Sequence, residues 1–431
     1  MNPNRTTRTL AACTIIALQC NAVSAQTINI PTVPLNVLTA VDPNIMLILD
    51  DSGSMQFEVM PESLILQQTY YLYPPNGQVY GTGGVYGDWI PSFAPTNPYG
   101  AKLRSPQLNS LYYDPSITYL PWSNVDGSRM PNADPSCAPN NPTPVSGTNP
   151  GCRKLNAQLT ERARWVTCTS ATSCSGTQNQ SDLTYWPAVY FRYNGGDAWN
   201  INSYTRVEIR PTISTYSGDG REKRTDCNNG VCTYQQEIQN FANWYTYYRS
   251  RILATRAGAG RVFATLGSNV RVGFAAINKS ASNVDGVNHY AVVSGVRSFT
   301  GSDRTNFFDQ LYRRPIPQSG TPLRKALDAI GQYYMRSDDR GPWSSTPGVA
   351  GGTEATCRRS YAILMTDGYW NLAEAETAAA RANNDGTSGP TITGPGGRTY
   401  TYTARSPFRD SYSNTLADIA MHYWKTTCGP I

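Results

Sequence analysis

Two short apolar runs, each closed by an acid, constrain this chain more than any other feature. Ile45-Met46-Leu47-Ile48-Leu49 leads straight into Asp50, and Tyr361-Ala362-Ile363-Leu364-Met365 leads into Thr366-Asp367. About five apolar residues without alternation suit a strand buried on both faces, as at the centre of a parallel sheet. Parallel strands need crossover connections, usually helical, and helical order is present. Ile238, Phe241, Tyr245, Tyr248 and Ile252 recur at three- and four-residue steps within 237–266, so they share one helix face. Strands are predicted at 270–277, 290–299 and, buried, at 360–365; helices are predicted at 306–313, 321–335 and 414–425. A Gly-rich excursion occupies 383–398. The fold class is α/β.

Residues 56–233 have a different texture. Tyr, Pro, Gly, Asn and Ser dominate and helical periodicity is absent. This stretch reads as one large irregular insertion after the first strand, built of short strands and loops, with cysteine bridges compensating for limited core. The organisation is then 41–55 for the first strand and its loop, 56–233 for the insertion, and 234–431 for the rest of the α/β domain.

Residues 1–25 read as a secretory signal: Arg5 and Arg8, an apolar stretch at 10–18, then Val23-Ser24-Ala25 as a small-residue cleavage site. Residues 26–40 form a linker. Eight cysteines remain after the signal, and an even count in an exported chain predicts disulfides. Proximity pairs Cys137 with Cys152, Cys168 with Cys174 and Cys227 with Cys232, leaving Cys357 with Cys428. With two histidines and no C-x2-C, a zinc site is excluded; His289 and His422 read as structural residues. No run after the signal is long and apolar enough for a transmembrane segment.

Charge excludes other classes. The chain is 15% charged and 11% aromatic, too few charges and too many rings for a disordered chain. The net charge of +6 falls to +4 without the signal. Basic clusters around Arg221 and Arg224, at Arg313-Arg314 and at Arg358-Arg359 are too dispersed for nucleic acid and read as solvated surface charge.

The candidate chemistry lies at the ends of the apolar runs. In Asp50-Asp51-Ser52-Gly53-Ser54 the oxygen-bearing residues Asp50, Ser52 and Ser54 alternate on a strand-end loop, with Asp51 expected to face away. Thr321, in Ser319-Gly320-Thr321-Pro322, opens a helix, and Asp367 lies in Thr366-Asp367-Gly368. Singly these are turn or N-cap residues. Together, at the carboxyl ends of parallel strands where open sheets bind ligands, two carboxylates and three hydroxyls make a hard-oxygen site for a divalent cation: Mg²⁺ first, with Mn²⁺ or Ca²⁺ as alternatives. Asp50 and Asp367 are expected to coordinate directly or through water.

The order D-x-S-x-S, helix-opening Thr and T-D-G resembles the von Willebrand factor A domain, a Rossmann-like fold, and its metal-ion-dependent adhesion site. Further wording is narrower: Leu111-Tyr112-Tyr113-Asp114-Pro115, Phe241-Ala242-Asn243-Trp244-Tyr245, Asp367-Gly368-Tyr369-Trp370-Asn371 and Ser411-Tyr412-Ser413-Asn414-Thr415-Leu416. From about residue 40 to the end the chain is similar to the amino-terminal half of the PilC/PilY family, type IV pilus tip-associated adhesins and biogenesis factors. The resemblance implies a non-enzymatic binding protein whose cation keeps one position open for a partner's carboxylate. It implies minor pilins and host or abiotic surfaces as partners, and a place in the periplasm and outer membrane, at the cell surface and at the pilus tip of a Gram-negative bacterium. It also implies a further strand and helix beyond residue 431, so that the fold is expected to be truncated here, and in relatives a propeller domain with a calcium loop. Two other classes are weighed. A hydrolase would need a general base or a partnered Ser and His, and no G-x-S-x-G occurs. A pilus-associated spacer would use the cation architecturally.

Overall fold

The computed structural model describes residues 41–81, 84–176, 179–353, 358–371, 373–393 and 397–426. The signal at 1–25, the linker at 26–40 and the expected Cys357–Cys428 bridge lie outside them.

The fold is mixed α/β. Its central sheet has four strands, β1 (Asn44–Leu49), β2 (Arg271–Ala276), β3 (Val292–Ser298) and β4 (Ser360–Met365), in the order β3-β2-β1-β4. β1 runs parallel to both neighbours, with Asn44 opposite Arg271 and Ser360; β3 is antiparallel to β2. The absence of alternation in β1 now has its physical cause. Leu47 and Leu49 enter one core with Ile238, Phe241, Phe274 and Leu311. Met46 and Ile48 enter a second with Ala275, Leu323, Ile330 and Tyr333. All four β1 side chains are fully buried. The strands approach closely where a Cβ on Gly273 would lie 2.7 Å from Met46 Cε and 3.0 Å from the Ser294 carbonyl, which explains glycine there.

Helices α1 (Tyr234–Tyr247), α2 (Arg251–Ala264) and α3 (Gly301–Arg313) contribute to the first core, and α4 (Leu323–Tyr334) to the second. α5 (Leu416–Thr426) packs Ile419 and Tyr423 with Leu327 of α4. Thr233 and Gln236 form a reciprocal capping box that starts α1. The single helix expected over 237–266 is in fact α1 and α2. Arg249, between them, is drawn inward to Glu58 (2.9 Å), both side chains being 5% exposed, and Ser250 caps the new helix by accepting from the Leu253 amide. The expectation of a buried strand at 360–365 also needs correction. Among the described residues β4 is an edge strand with β1 as its neighbour, and Tyr361 and Ile363 are 48% and 43% exposed.

Within 56–233 the longest strand, Leu159–Cys168, pairs parallel with Trp89–Pro91 and antiparallel with Cys174–Gly176 and Ser181–Tyr185. A hairpin joins Val189–Tyr193 to Tyr204–Glu208. Three disulfides, Cys137–Cys152, Cys168–Cys174 and Cys227–Cys232, are those expected from proximity. Tyr71, Tyr73, Tyr112, Tyr113 and Trp122 share one hydrophobic cluster with Trp244 and Leu47, so this region and the helices of the α/β part bury a common core.

Arg221 and Arg224 are not solvated charge. Both guanidinium groups are buried against Glu237 on the first turn of α1. Arg221 Nη2 donates to Oε1 (2.7 Å), Arg224 Nη1 to Oε2 (2.5 Å), and the Tyr113 hydroxyl to Oε1 (2.8 Å). An acid near a helix N-terminus is favoured by the helix dipole, and these donors satisfy it.

His289 is 6% exposed, edge-on to Tyr333 (5.4 Å) and 3.3 Å from Arg336 Nη1. Burial, reinforced by that guanidinium, lowers its pKa below the ordinary value of 6.5. The unfolded chain therefore takes up the proton more readily, and His289 makes stability rise with pH from its depressed folded pKa up through the unfolded value. Replacing His289 by Gln is expected to flatten the dependence of Tm on pH between about pH 5 and 7. An unchanged slope would show that His289 binds its proton equally in the folded and unfolded states over that range. Among the described residues, no helix is long and apolar enough to cross a membrane.

Candidate metal centre

Both acid-terminated strands end at the same edge of the sheet because β1 and β4 are parallel and in register, Leu49 opposite Met365. The Asp50 amide continues the ladder to the Met365 carbonyl (2.9 Å). Asp50 and Asp367 therefore emerge side by side from adjacent strands.

Asp50 is fully buried. Its Oδ1 accepts from the Ser52 amide (2.8 Å) and its Oδ2 from the Thr366 hydroxyl (2.7 Å). Burial raises its pKa above the ordinary carboxyl value; the bonds from Ser52 and Thr366 oppose this, and the nearby Asp367 charge adds to it. These donors are neutral, so a buried carboxylate beside a second carboxylate is a position where a cation is stabilised.

Ser52 and Ser54 turn their hydroxyl oxygens to within 3.2 Å of each other. Adjacent ligands of an octahedral cation with bonds of about 2.0–2.1 Å lie roughly 3 Å apart, so this pair matches an edge of such a shell. The loop is clamped from several sides. The Gly53 amide donates to the Ser319 carbonyl (2.9 Å), and a Cβ on Gly53 would run into the Tyr86 ring.

The segment bearing Thr321 is tied to the strand-end loop of β4. The Thr321 amide donates to Asn371 Oδ1 (2.7 Å), and the Asn371 amide returns to the Thr321 carbonyl (3.1 Å). Thr321 itself is 5% exposed and lies just before α4, whose N-cap is Pro322. Asp51 faces the other way. Its Oδ1 accepts from the Asn278 amide (2.8 Å) beyond β2, and its Oδ2 pairs with Arg314 (2.8 Å).

Asp367 faces one buried cation as well as the Asp50 carboxylate. Its Oδ2 pairs with Arg251 Nη1 at 2.6 Å, both side chains being at most 5% exposed. The structure thus brings Asp50, Ser52 and Ser54 together on one loop, places Asp367 close enough to Asp50 to perturb it, and joins Thr321 through backbone clasps. Among the described residues, no group of three or more His, Cys, Asp or Glu is placed to hold a metal; the donor set here is two carboxylates with hydroxyls, a chemistry suited to Mg²⁺ or Mn²⁺.

Thr366, Asn371, Asn278, Arg251 and Arg314 were not singled out from sequence as site residues. Thr366 and Asn371 lie within the motif around Asp367. The other three are distant in sequence and carry no local pattern that announces them.

These features define a class: a mixed α/β protein with a disulfide-bearing segment following its first strand and an oxygen-rich loop cluster at the strand ends. Comparison with known proteins narrows it. The chain is 30% identical over 423 residues to the "Type IV pilus biogenesis factor PilY1" of Pseudomonas aeruginosa strain PAK, an alignment covering 96% of this chain and 30% of that protein. It is 27% identical over 434 residues to the protein of the same name from strain UCBPP-PA14, covering 97% and 30%. The chain is thus similar along nearly its whole length to type IV pilus biogenesis factors of the PilY1 kind, and it spans about 30% of the length of these relatives. No protein-family model matches it, and no solved structure does.

Proposed function

We propose that this chain is an exported, pilus-associated binding protein that serves type IV pilus biogenesis and adhesion. In this reading the α/β part is of von Willebrand factor A type, and Asp50, Ser52, Ser54, Thr321 and Asp367 hold one divalent cation, Mg²⁺ in the first place. The cation keeps a coordination position open for a carboxylate of a partner, a minor pilin at the pilus tip or a surface ligand. The observation that carries the reading is the convergence of the Ser52–Ser54 hydroxyl pair with two carboxylates at the ends of adjacent parallel strands. The names of the relatives support the link to pilus biogenesis. Exposed Tyr369 and Trp370, just beyond Asp367, offer apolar contact beside the cation.

The test is co-purification of the chain with a recombinant minor pilin encoded in the same genome. The complex is expected in Mg²⁺, lost in EDTA and restored by excess Mg²⁺. A complex indifferent to EDTA, with a Tm that nevertheless falls on chelation, would overturn the adhesive role and favour the architectural one.

A further inference from the structure

Arg251 stands where a metal site would not be expected to tolerate it. It is the first residue of α2, and its guanidinium is 4% exposed. One terminal nitrogen donates to Asp367 Oδ2 (2.6 Å), while Nε and Nη2 donate to the Val59 carbonyl at 3.3 and 3.0 Å. Three contacts and a position over the Phe57 ring, 5.1 Å from its centroid, fix it in place. Asp51 does not offset this charge, because it is already paired with Arg314.

The charge count at the site changes accordingly. Asp50 and Asp367 alone would neutralise a dication. With Arg251 paired to Asp367, the filled site retains one positive charge in excess, held in a place poorly screened by water. We infer that Arg251 is a positioning residue that weakens intrinsic cation affinity and makes retention of the cation depend on an anionic partner. It orients Asp367 so that one oxygen is engaged and the other is left for the cation or its water, and it leaves the charge deficit for the partner's carboxylate to fill. Cation and partner then strengthen each other's binding reciprocally. This rests on the metal-site reading proposed above and deepens it: the partner group must be anionic, and an uncharged oxygen ligand will not substitute.

The experiment is calorimetric titration of the full chain with Mn²⁺ and Mg²⁺, using wild type, Arg251→Met, Arg251→Gln, Arg251→Lys and Asp50→Asn, each checked for folding by near-ultraviolet circular dichroism. Arg251→Met removes the charge and its donors; Arg251→Gln removes the charge but keeps an amide donor, and it decides the matter if the Met variant does not fold. Both neutral variants are expected to bind Mn²⁺ at least about tenfold more tightly than wild type, and Arg251→Lys to stay within about threefold of it. A residue needed only for structure would lower Tm without tightening metal binding. If Asp50→Asn loses binding while the folded neutral Arg251 variants bind no more tightly than wild type, the charge role of Arg251 is wrong and the metal site stands. If Asp50→Asn binds as wild type does, or if neither wild type nor the neutral variants bind, the metal-site reading itself falls.

Discussion

Asp50→Asn is expected to weaken Mg²⁺ and Mn²⁺ binding by at least about a hundredfold in calorimetry, effectively to nothing measurable, while leaving the fold intact. The substitution keeps an oxygen that can accept from the Ser52 amide or the Thr366 hydroxyl, so the loop retains much of its local bonding. What it removes is a fully buried negative charge whose hydrogen-bond donors are all neutral. A cation at the serine pair would lose its principal counter-charge, because the Asp367 carboxylate is already shared with Arg251. Retention of wild-type affinity would show that the cation, if bound, sits elsewhere.

The largest effect on stability is expected from Glu237→Ala. Glu237 is wholly buried and accepts from two guanidinium groups and a tyrosine hydroxyl. Its removal leaves Arg221 and Arg224 facing an empty space; Arg221 then keeps Asp219 (3.5 Å) and Arg224 keeps Asp226 (2.7 Å) as partial partners. Breaking a buried pair from one side costs about 3–5 kcal/mol, enough to consume a large share of ordinary domain stability. Urea unfolding should show the midpoint falling accordingly. A loss below about 1 kcal/mol would mean that the remaining acids and entering water satisfy both arginines.

The two predictions differ in how far sequence reading could reach their residues. Asp50 is legible because everything that marks it is local: an apolar strand before it, hydroxyls two and four residues on. The central strand itself is legible for the same reason, since burial on two faces erases alternation within the strand. The three short-range disulfides follow from spacing alone. Glu237 and its arginines were not legible. Arg221 and Arg224 look like any solvated basic cluster until the chain folds, because the residue that buries them lies across a turn and at a helix start. Arg251 and Arg314 are further cases, cations whose partners, Asp367 and Asp51, come from opposite ends of the sequence. The break at 248–250 was hidden because the apolar steps continue across it, while what accompanies it, the Arg249–Glu58 pair and the Ser250 cap, depends on a residue distant in sequence and on a hydroxyl. The neighbourhood of β4 was legible too, since the strand ending at Asp367 is expected beside the strand ending at Asp50, but how far its own side chains are covered is not written in an apolar run, whose composition is the same at an edge as in a sheet's centre.

The placement of β1 sets a timetable. Asn44 is separated by 316 residues from its partner Ser360, and Asp51 by 227 from Asn278 beyond β2. At roughly 5–20 residues per second of synthesis, the first strand waits about 10–45 s for its first neighbour and longer for its second. During that interval an uncovered apolar strand is open to wrong pairing, and topologies dominated by such distant contacts fold slowly. The insertion is synthesised in that gap, and its aromatic residues meet Leu47 and Leu49 in one cluster, so it is in a position to shelter one side of β1 before the sheet exists. The Thr366-to-Asp50 bond spans 316 residues as well. The loop cluster therefore cannot close until β4 is available to β1, however early the loop after β1 is made.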